Sequence, residues 1–334
     1  MIIDVHAHAL SERFLSDLKK NPVSGLTSEF DGKGGFLIRR RGGAPQSLDC
    51  NLHNLERRLE SLRRRKVSLQ FFGPSPGFIS WQGAAADVEL TRAIHAQAKE
   101  TAAASGGLME PMAIPAVGEP DRMVEELDRA VGEYGFRAIM IPSSAGGRPL
   151  DDAAFDPLFS SIERHGLLTF MHPTSAFPTD RFGINGMNVL LGWPFETTLA
   201  VTRLVFAGTF ERHPGLKLIL SHSGGNLVPL RGRIDAAYHA TGWEAHPYYK
   251  AKISKSPTYY LDRLYYDTCS LSVDTVQFVI KVMGKDRVLF GSDFPFDVGD
   301  PEGLVAMAAL DQCSADVRTN ILSGNAERLL SVKQ

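Results

Sequence analysis

Short apolar runs alternate with longer segments whose apolar positions recur every three or four residues, and from residue 49 onward this rhythm continues to the end of the chain. The short runs read as buried strands and the longer segments as amphipathic helices. The chain opens on one such run, Met1-Ile2-Ile3-Asp4-Val5. Others are Val67 to Phe72, Met109 to Ile114, Arg137 to Ile141, Leu167 to His172, Leu216 to Ser221, Leu264 to Asp267 and Arg287 to Asp293. Helical spacing is expected over 50–65, 87–104, 120–134, 151–165, 197–211 and 272–283, after Gly225, and near 314–330. Asp87 reads as an N-cap, and Gly135, Gly166 and Gly284 as stops.

Strands alternating with helices imply βαβ units and a parallel sheet. Eight of them, with no repeat, linker or change of composition, predict a closed (β/α)8 TIM barrel, one domain spanning 1–334. An open doubly wound sheet is the alternative. The barrel is preferred because polar residues end strand-like runs from early, middle and late in the chain, and only a closed sheet gathers such ends around one mouth. Residues 11–48 break the rhythm with Gly25, Gly32, Gly34, Gly35, Gly42 and Gly43. They are expected to form an insertion after the first strand, a loop with a short hairpin at Phe36-Leu37-Ile38-Arg39.

The polar strand ends carry the candidate chemistry. On a strand, alternate residues share a face, so His6 and His8 project the same way. His172, His222 and Asp293 each end a later run. Neutral imidazoles with one carboxylate suit zinc or another divalent transition metal, manganese or iron included. Such an ion would lower the pKa of a bound water toward ~7 or polarise a substrate oxygen.

Composition narrows the partners. Lys and Arg number 36 against 38 Asp and Glu, a net charge of −2, so no global field recruits nucleic acid or an anionic membrane. The cluster Arg57, Arg58, Arg63, Arg64, Arg65 and Lys66 lies beside the stripe Leu52, Leu55, Leu59 and Leu62 and reads as a solvated helix face. Arg39, Arg40 and Arg41 in the insertion are within plausible reach of an anionic substrate. Cys50, Cys269 and Cys313 are far apart with no CxxC, which favours a reducing compartment. No run reads as the ~20 apolar residues that span a bilayer, and the start lacks a leader pattern. A cytoplasmic protein with no membrane partner is the expectation.

Taken together, Asp4-Val5-His6-Ala7-His8, His172-Pro173, Ala207 to Pro214 leading to His222-Ser223-Gly224-Gly225, and Gly291-Ser292-Asp293-Phe294-Pro295 resemble the amidohydrolase superfamily. More narrowly they resemble its amidohydrolase-2 branch, which includes aminocarboxymuconate-semialdehyde decarboxylase and the γ-resorcylate type decarboxylases. The resemblance implies His6, His8, His172 and Asp293 as metal ligands and His222, acting with Asp293, as the catalytic histidine. It implies one metal rather than two, because Ile139-Met140-Ile141 offers no bridging Lys or Glu. It further implies non-oxidative decarboxylation of a small unsaturated or aromatic carboxylate, in a homodimer. Trp193 with Pro194 and Phe195 would form pocket wall and subunit contact, and Phe294 and Phe296 would line the mouth, ordinary packing being the alternative for each. Hydrolysis or hydration of a ring-cleavage product or lactone is the rival enzyme reading. A non-catalytic barrel that binds a small molecule is the third. His53, His95, His165, His213, His239 and His246 read as surface or capping histidines, and Asn325 as a helix cap.

Overall fold

Five consecutive buried positions in Ala138–Pro142 and again in Leu168–His172 mark strands covered on both faces. That burial is why these runs are continuously apolar rather than alternating. In the computed structural model, which describes residues 1–40, 45–74, 78, 80–81, 84–174, 186–239 and 252–331, eight such strands line up in chain order in one sheet. They are β1 (Ile3–Asp4), β2 (Leu69–Phe72), β3 (Met109–Ala113), β4 (Ala138–Pro142), β5 (Leu168–His172), β6 (Lys217–Leu220), β7 (Tyr265–Asp267) and β8 (Val288–Leu289). Every pairing is parallel. The extensions of β8 and β1 then meet. Val5 N–H donates to Phe290 O at 3.0 Å, Asp293 N–H to His6 O at 2.8 Å and His8 N–H to Phe294 O at 2.8 Å. The sheet is thereby drawn into the barrel that the alternation predicts.

Helices cover the outside. Val88–Ala104, Met123–Tyr134, Asp156–Arg164, Trp193–Phe206, Leu227–His239 and Val273–Met283 follow successive strands from β2 to β7. Asp87 caps the first of these by accepting from Leu90 N–H, and Gly135 ends the second at φ 70°. Leu127, Leu158, Ile162, Val201 and Leu204 join Ile139, Ile141, Leu218 and Leu220 in one buried cluster. The alternate strand positions Ala138, Met140, Leu168, Phe170 and Ile219 join a second.

Five expectations need correction. Residues 11–48 are not a loop with one hairpin. Ser11 caps a helix over Glu12–Lys20, which buries Phe14, Leu15 and Leu18. A three-stranded antiparallel sheet of Leu26–Phe30, Phe36–Arg40 and Gln46–Leu48 follows. The helix expected over 197–211 is two, Thr209–Arg212 and Trp193–Phe206, the latter with Pro194 in its first turn, where a missing N–H costs nothing. Together with the preceding turn, Asn188–Phe206 is, among the described residues, long and apolar enough to cross a membrane by length and composition. It docks on the barrel through Ala200, Val201, Leu204 and Val205. The helix expected near 314–330 is two helices, Ala315–Thr319 and Asn325–Ser331, joined by a π turn. There Asn325 is not a cap: its Nδ2 donates to the Lys285 and Val288 carbonyls, pinning the helix to the start of β8.

Candidate metal centre and adjoining cavity

The strand ends deliver their polar side chains to one point. One ligand atom each from His6, His8, His172 and Asp293 lies within 4.8 Å of the others, and all four residues are buried. His6 and His8 follow β1, His172 ends β5 and Asp293 follows β8, so the point sits at the C-terminal mouth of the barrel. His222 follows β6, and its Nε2 is 3.4 Å from Asp293 Oδ2.

Each imidazole is oriented by a bond on its far nitrogen. His6 Nδ1 is 2.7 Å from Asp267 Oδ2, His8 Nδ1 is 2.9 Å from the Pro74 carbonyl, and His172 Nδ1 is 2.9 Å from the Pro173 carbonyl. Those acceptors fix the proton on Nδ1 and leave Nε2 a bare acceptor. All three Nε2 atoms and Asp293 Oδ1 are buried, and apart from the 3.1 Å approaches of His6 Nε2 and His8 Nε2 to Asp293 Oδ1 they have no partner. Four converging lone-pair donors with nothing to accept a bond from are costly unless a cation sits among them. His3Asp is a donor set that suits a divalent transition ion. The electrostatics agree. Burial opposes charge on His6, but Asp293 and Asp267 outweigh it and push its pKa up. Burial and the surrounding imidazoles hold His172 well down. Asp293, despite burial, is held well below the usual carboxylate range by His6 and the other histidines. Positive charge is thus favoured at the centre of the cluster.

Backbone conformation is unusual at the same place. His222, Ser223 and Asp293 have φ of 53°, 55° and 57°. Non-glycine residues in the left-handed region cost of order 1–3 kcal/mol each and persist where the surroundings hold them. Ser223 is held by Asp267, whose Oδ1 accepts from its N–H at 2.7 Å.

A cavity of about 280 Å³ opens beside His222, lined in part by Leu190, Trp193, Asn226, Cys269, Ser270 and Val298. Trp193 stacks on the His222 ring at 6.2 Å between centroids and meets His172 edge-on at 5.5 Å. Phe296 packs on His8 at 5.2 Å. Phe294 does not line this cavity; its ring lies against the guanidinium of Arg58 at 4.6 Å and that of Arg65 at 4.9 Å. Arg39 is exposed on the antiparallel sheet and does not line the cavity, while Arg41 falls outside the described residues. His53, His95 and His213 are buried rather than superficial.

Three contributors escape a reading of the sequence. Asp267 ends a strand-like run, as Asp293 does, which was the available signal. Cys269 follows two residues later with no motif around it. Arg58 belongs to the run read as a solvated face, yet it is only 2% exposed. Its guanidinium donates to the His8 carbonyl and, at 2.8 Å, to Gln70 Oε1. Gln70 in turn donates to Asp4, which accepts from His6 N–H and Ser292.

Known proteins resemble this chain along its length. A 2-amino-3-carboxymuconate-6-semialdehyde decarboxylase of Dictyostelium discoideum is 25% identical over 335 residues, covering 99% of this chain and 91% of its own length. Among solved structures, the 5-carboxyvanillate decarboxylase of Sphingomonas paucimobilis superposes with a TM-score of 0.80 at 20% identity, over 99% of both chains. The dihydroxybenzoic acid decarboxylase of Polaromonas, solved with bound manganese and 2-nitroresorcinol, superposes at 0.74 with 22% identity, over 100% of this chain and 97% of its own. The amidohydrolase family profile matches residues 3–332, and with essentially the whole chain inside that match, the protein belongs to the amidohydrolase family.

Proposed function

We propose that this protein is a metal-dependent, non-oxidative decarboxylase of a small aromatic carboxylic acid. The observation that carries the reading is the convergence of four unpartnered buried donors beside a cavity floored by His222 and walled by Trp193. The named activities of the relatives support it. His6, His8, His172 and Asp293 would hold one divalent ion; zinc is the ion we propose, with manganese, present in the Polaromonas structure, as the comparison. The ion would supply positive charge for the substrate's carboxylate side and draw electron density from the bond to be broken.

The chain's own residues do the rest. Trp193, Leu190 and Val298 offer flat and apolar surface for one aromatic ring. Asn226, Ser270 and Thr275 offer neutral hydrogen-bonding groups for ring hydroxyls. No lysine or arginine lines the cavity among the described residues. His222, hydrogen-bonded to Asp293, holds a proton where it can be delivered to the ring carbon bearing the carboxylate. That carbon gains the proton, the C–C electron pair returns to the ring, and CO2 leaves.

The test incubates zinc- and manganese-loaded protein with 2,6-dihydroxybenzoate, 5-carboxyvanillate and related acids and follows CO2 and product mass. Loss of CO2 is expected; gain of water, or no turnover on any aromatic acid, overturns the reading. His222→Asn is expected to keep its metal and lose about 10²–10⁴-fold in kcat. We further propose a homodimer, built on the exposed stripe Leu190, Leu191, Phe195 and Leu199, which size measurement in solution checks. A cytoplasmic location is proposed from the three unpaired cysteines, and fractionation of cells tests it.

A further inference from the structure

Around His6 there are two ways to hold an ion, not one. The first is the His3Asp set. The second is formed by His6, His222 and Cys269, whose ligand atoms also lie within 4.8 Å of one another. Cys269 is 2% exposed, lines the cavity beside His222 and is not in a disulfide. Its place after β7 brings a sulfur donor to the rim of a centre otherwise built from nitrogen and oxygen. His6 belongs to both sets, and its Nε2 is fully buried. His222 Nδ1 is also buried without a partner.

The two sets compete. His6 Nδ1 is engaged by Asp267, so only Nε2 can bind an ion, and one lone pair binds one ion. We infer that His6, His222 and Cys269 form an alternative, sulfur-containing position for a thiophilic cation such as cadmium, exclusive of the His3Asp position. Thiolate with two imidazoles selects such ions over manganese or magnesium. An ion there displaces the thiol proton to solvent. It also ties up His222, the proton carrier, so this is an inhibitory mode of the site. The inference rests on the metal-centre reading above and adds its inhibition by a soft cation that displaces the native ion.

The experiment uses full-length protein carrying Cys50→Ser and Cys313→Ser, which leaves Cys269 the sole thiol. Metal-free protein is titrated separately with manganese and with cadmium, following ion stoichiometry and ultraviolet absorption. The expected result is one manganese per chain, and one cadmium per chain with a sulfur-to-metal charge-transfer band that vanishes on adding Cys269→Ala. Cadmium binding without that band, in protein that takes up manganese, overturns this inference and leaves the metal centre standing. Two cadmium ions per chain overturn the mutual exclusion. Failure to bind either ion overturns both readings.

Discussion

His6 offers one nitrogen to the cluster because Asp267 occupies the other. Asp267 also accepts from the N–H groups of Ser223 and Cys269, at 2.7 and 3.1 Å, so one buried carboxylate aligns β1, β6 and β7 at the mouth. Asn at this position can present its N–H₂ to His6 and reverse the ring's tautomer. Asp267→Asn is therefore expected to weaken metal affinity about 10–100-fold while leaving the fold intact, read by titration against a chelator of known affinity. At this scale the sequence was informative wherever local spacing carries the chemistry: His6 and His8 share a face by strand geometry alone. The same spacing marks Asp267 only as the end of a strand-like run and gives no sign that Arg58 is buried. Their roles are set by what packs on them across 261 and 50 residues of chain, to His6 and to the His8 carbonyl.

Among elements, the helix Leu55–Arg64 matters most to the centre. It buries Arg58 and Leu62 against the barrel and turns Arg63 and Arg64 outward. The polar face of an amphipathic helix gives no sign of which arginine is taken inward, so the pattern of charges misassigned Arg58. Its guanidinium grips the β1 extension at His8 and the β8 extension at Phe294, the residue after Asp293. Arg58→Met, similar in length but without charge, is expected to loosen both ligand-bearing segments. It should weaken metal retention in dialysis about 10–100-fold, with Arg58→Lys intermediate. The segment 11–48 was misread for a related reason. Its nine-residue helix and short strands bury alternate residues such as Leu26, Ser28, Phe36 and Ile38, but intervening glycines and charges hide the period.

A second link between elements sets an acid limit. Glu126, buried on the helix Met123–Tyr134, accepts from Arg92 Nε at 2.8 Å and Arg129 Nε at 3.0 Å. Arg92 foremost holds its carboxyl below the usual range. A carboxylate with a depressed folded-state pKa stabilises fully above its unfolded value of about 4.3 and loses that contribution as pH falls through the folded value. Glu126→Gln is expected to cost about 1–3 kcal/mol at pH 7, and the difference from wild type should shrink below about pH 4, in urea melts at both pH values.

For the whole molecule, the alternation of strand and helix predicted the architecture because each βαβ unit is locally complete. Where the barrel closes was not visible locally. That closure joins the β1 and β8 extensions through Asp293 N–H and the His6 carbonyl. The four proposed ligands come from these two segments and from β5. A bound ion is then a cross-link among distant parts of the chain and binds the folded form alone. At a hundredfold excess over Kd it should add about 2.7 kcal/mol, so chelation is expected to lower the melting temperature and re-addition to restore it, read by calorimetry.

The closure also imposes a schedule. Its two halves, at His6 and Asp293, are 287 positions apart in the polypeptide. A ribosome adding about 5–20 residues per second needs roughly a quarter of a minute to a minute to make the second after the first. During that interval the emerging chain carries first two and then three of the imidazoles without their carboxylate, so the full donor set exists only once the last strand has been made.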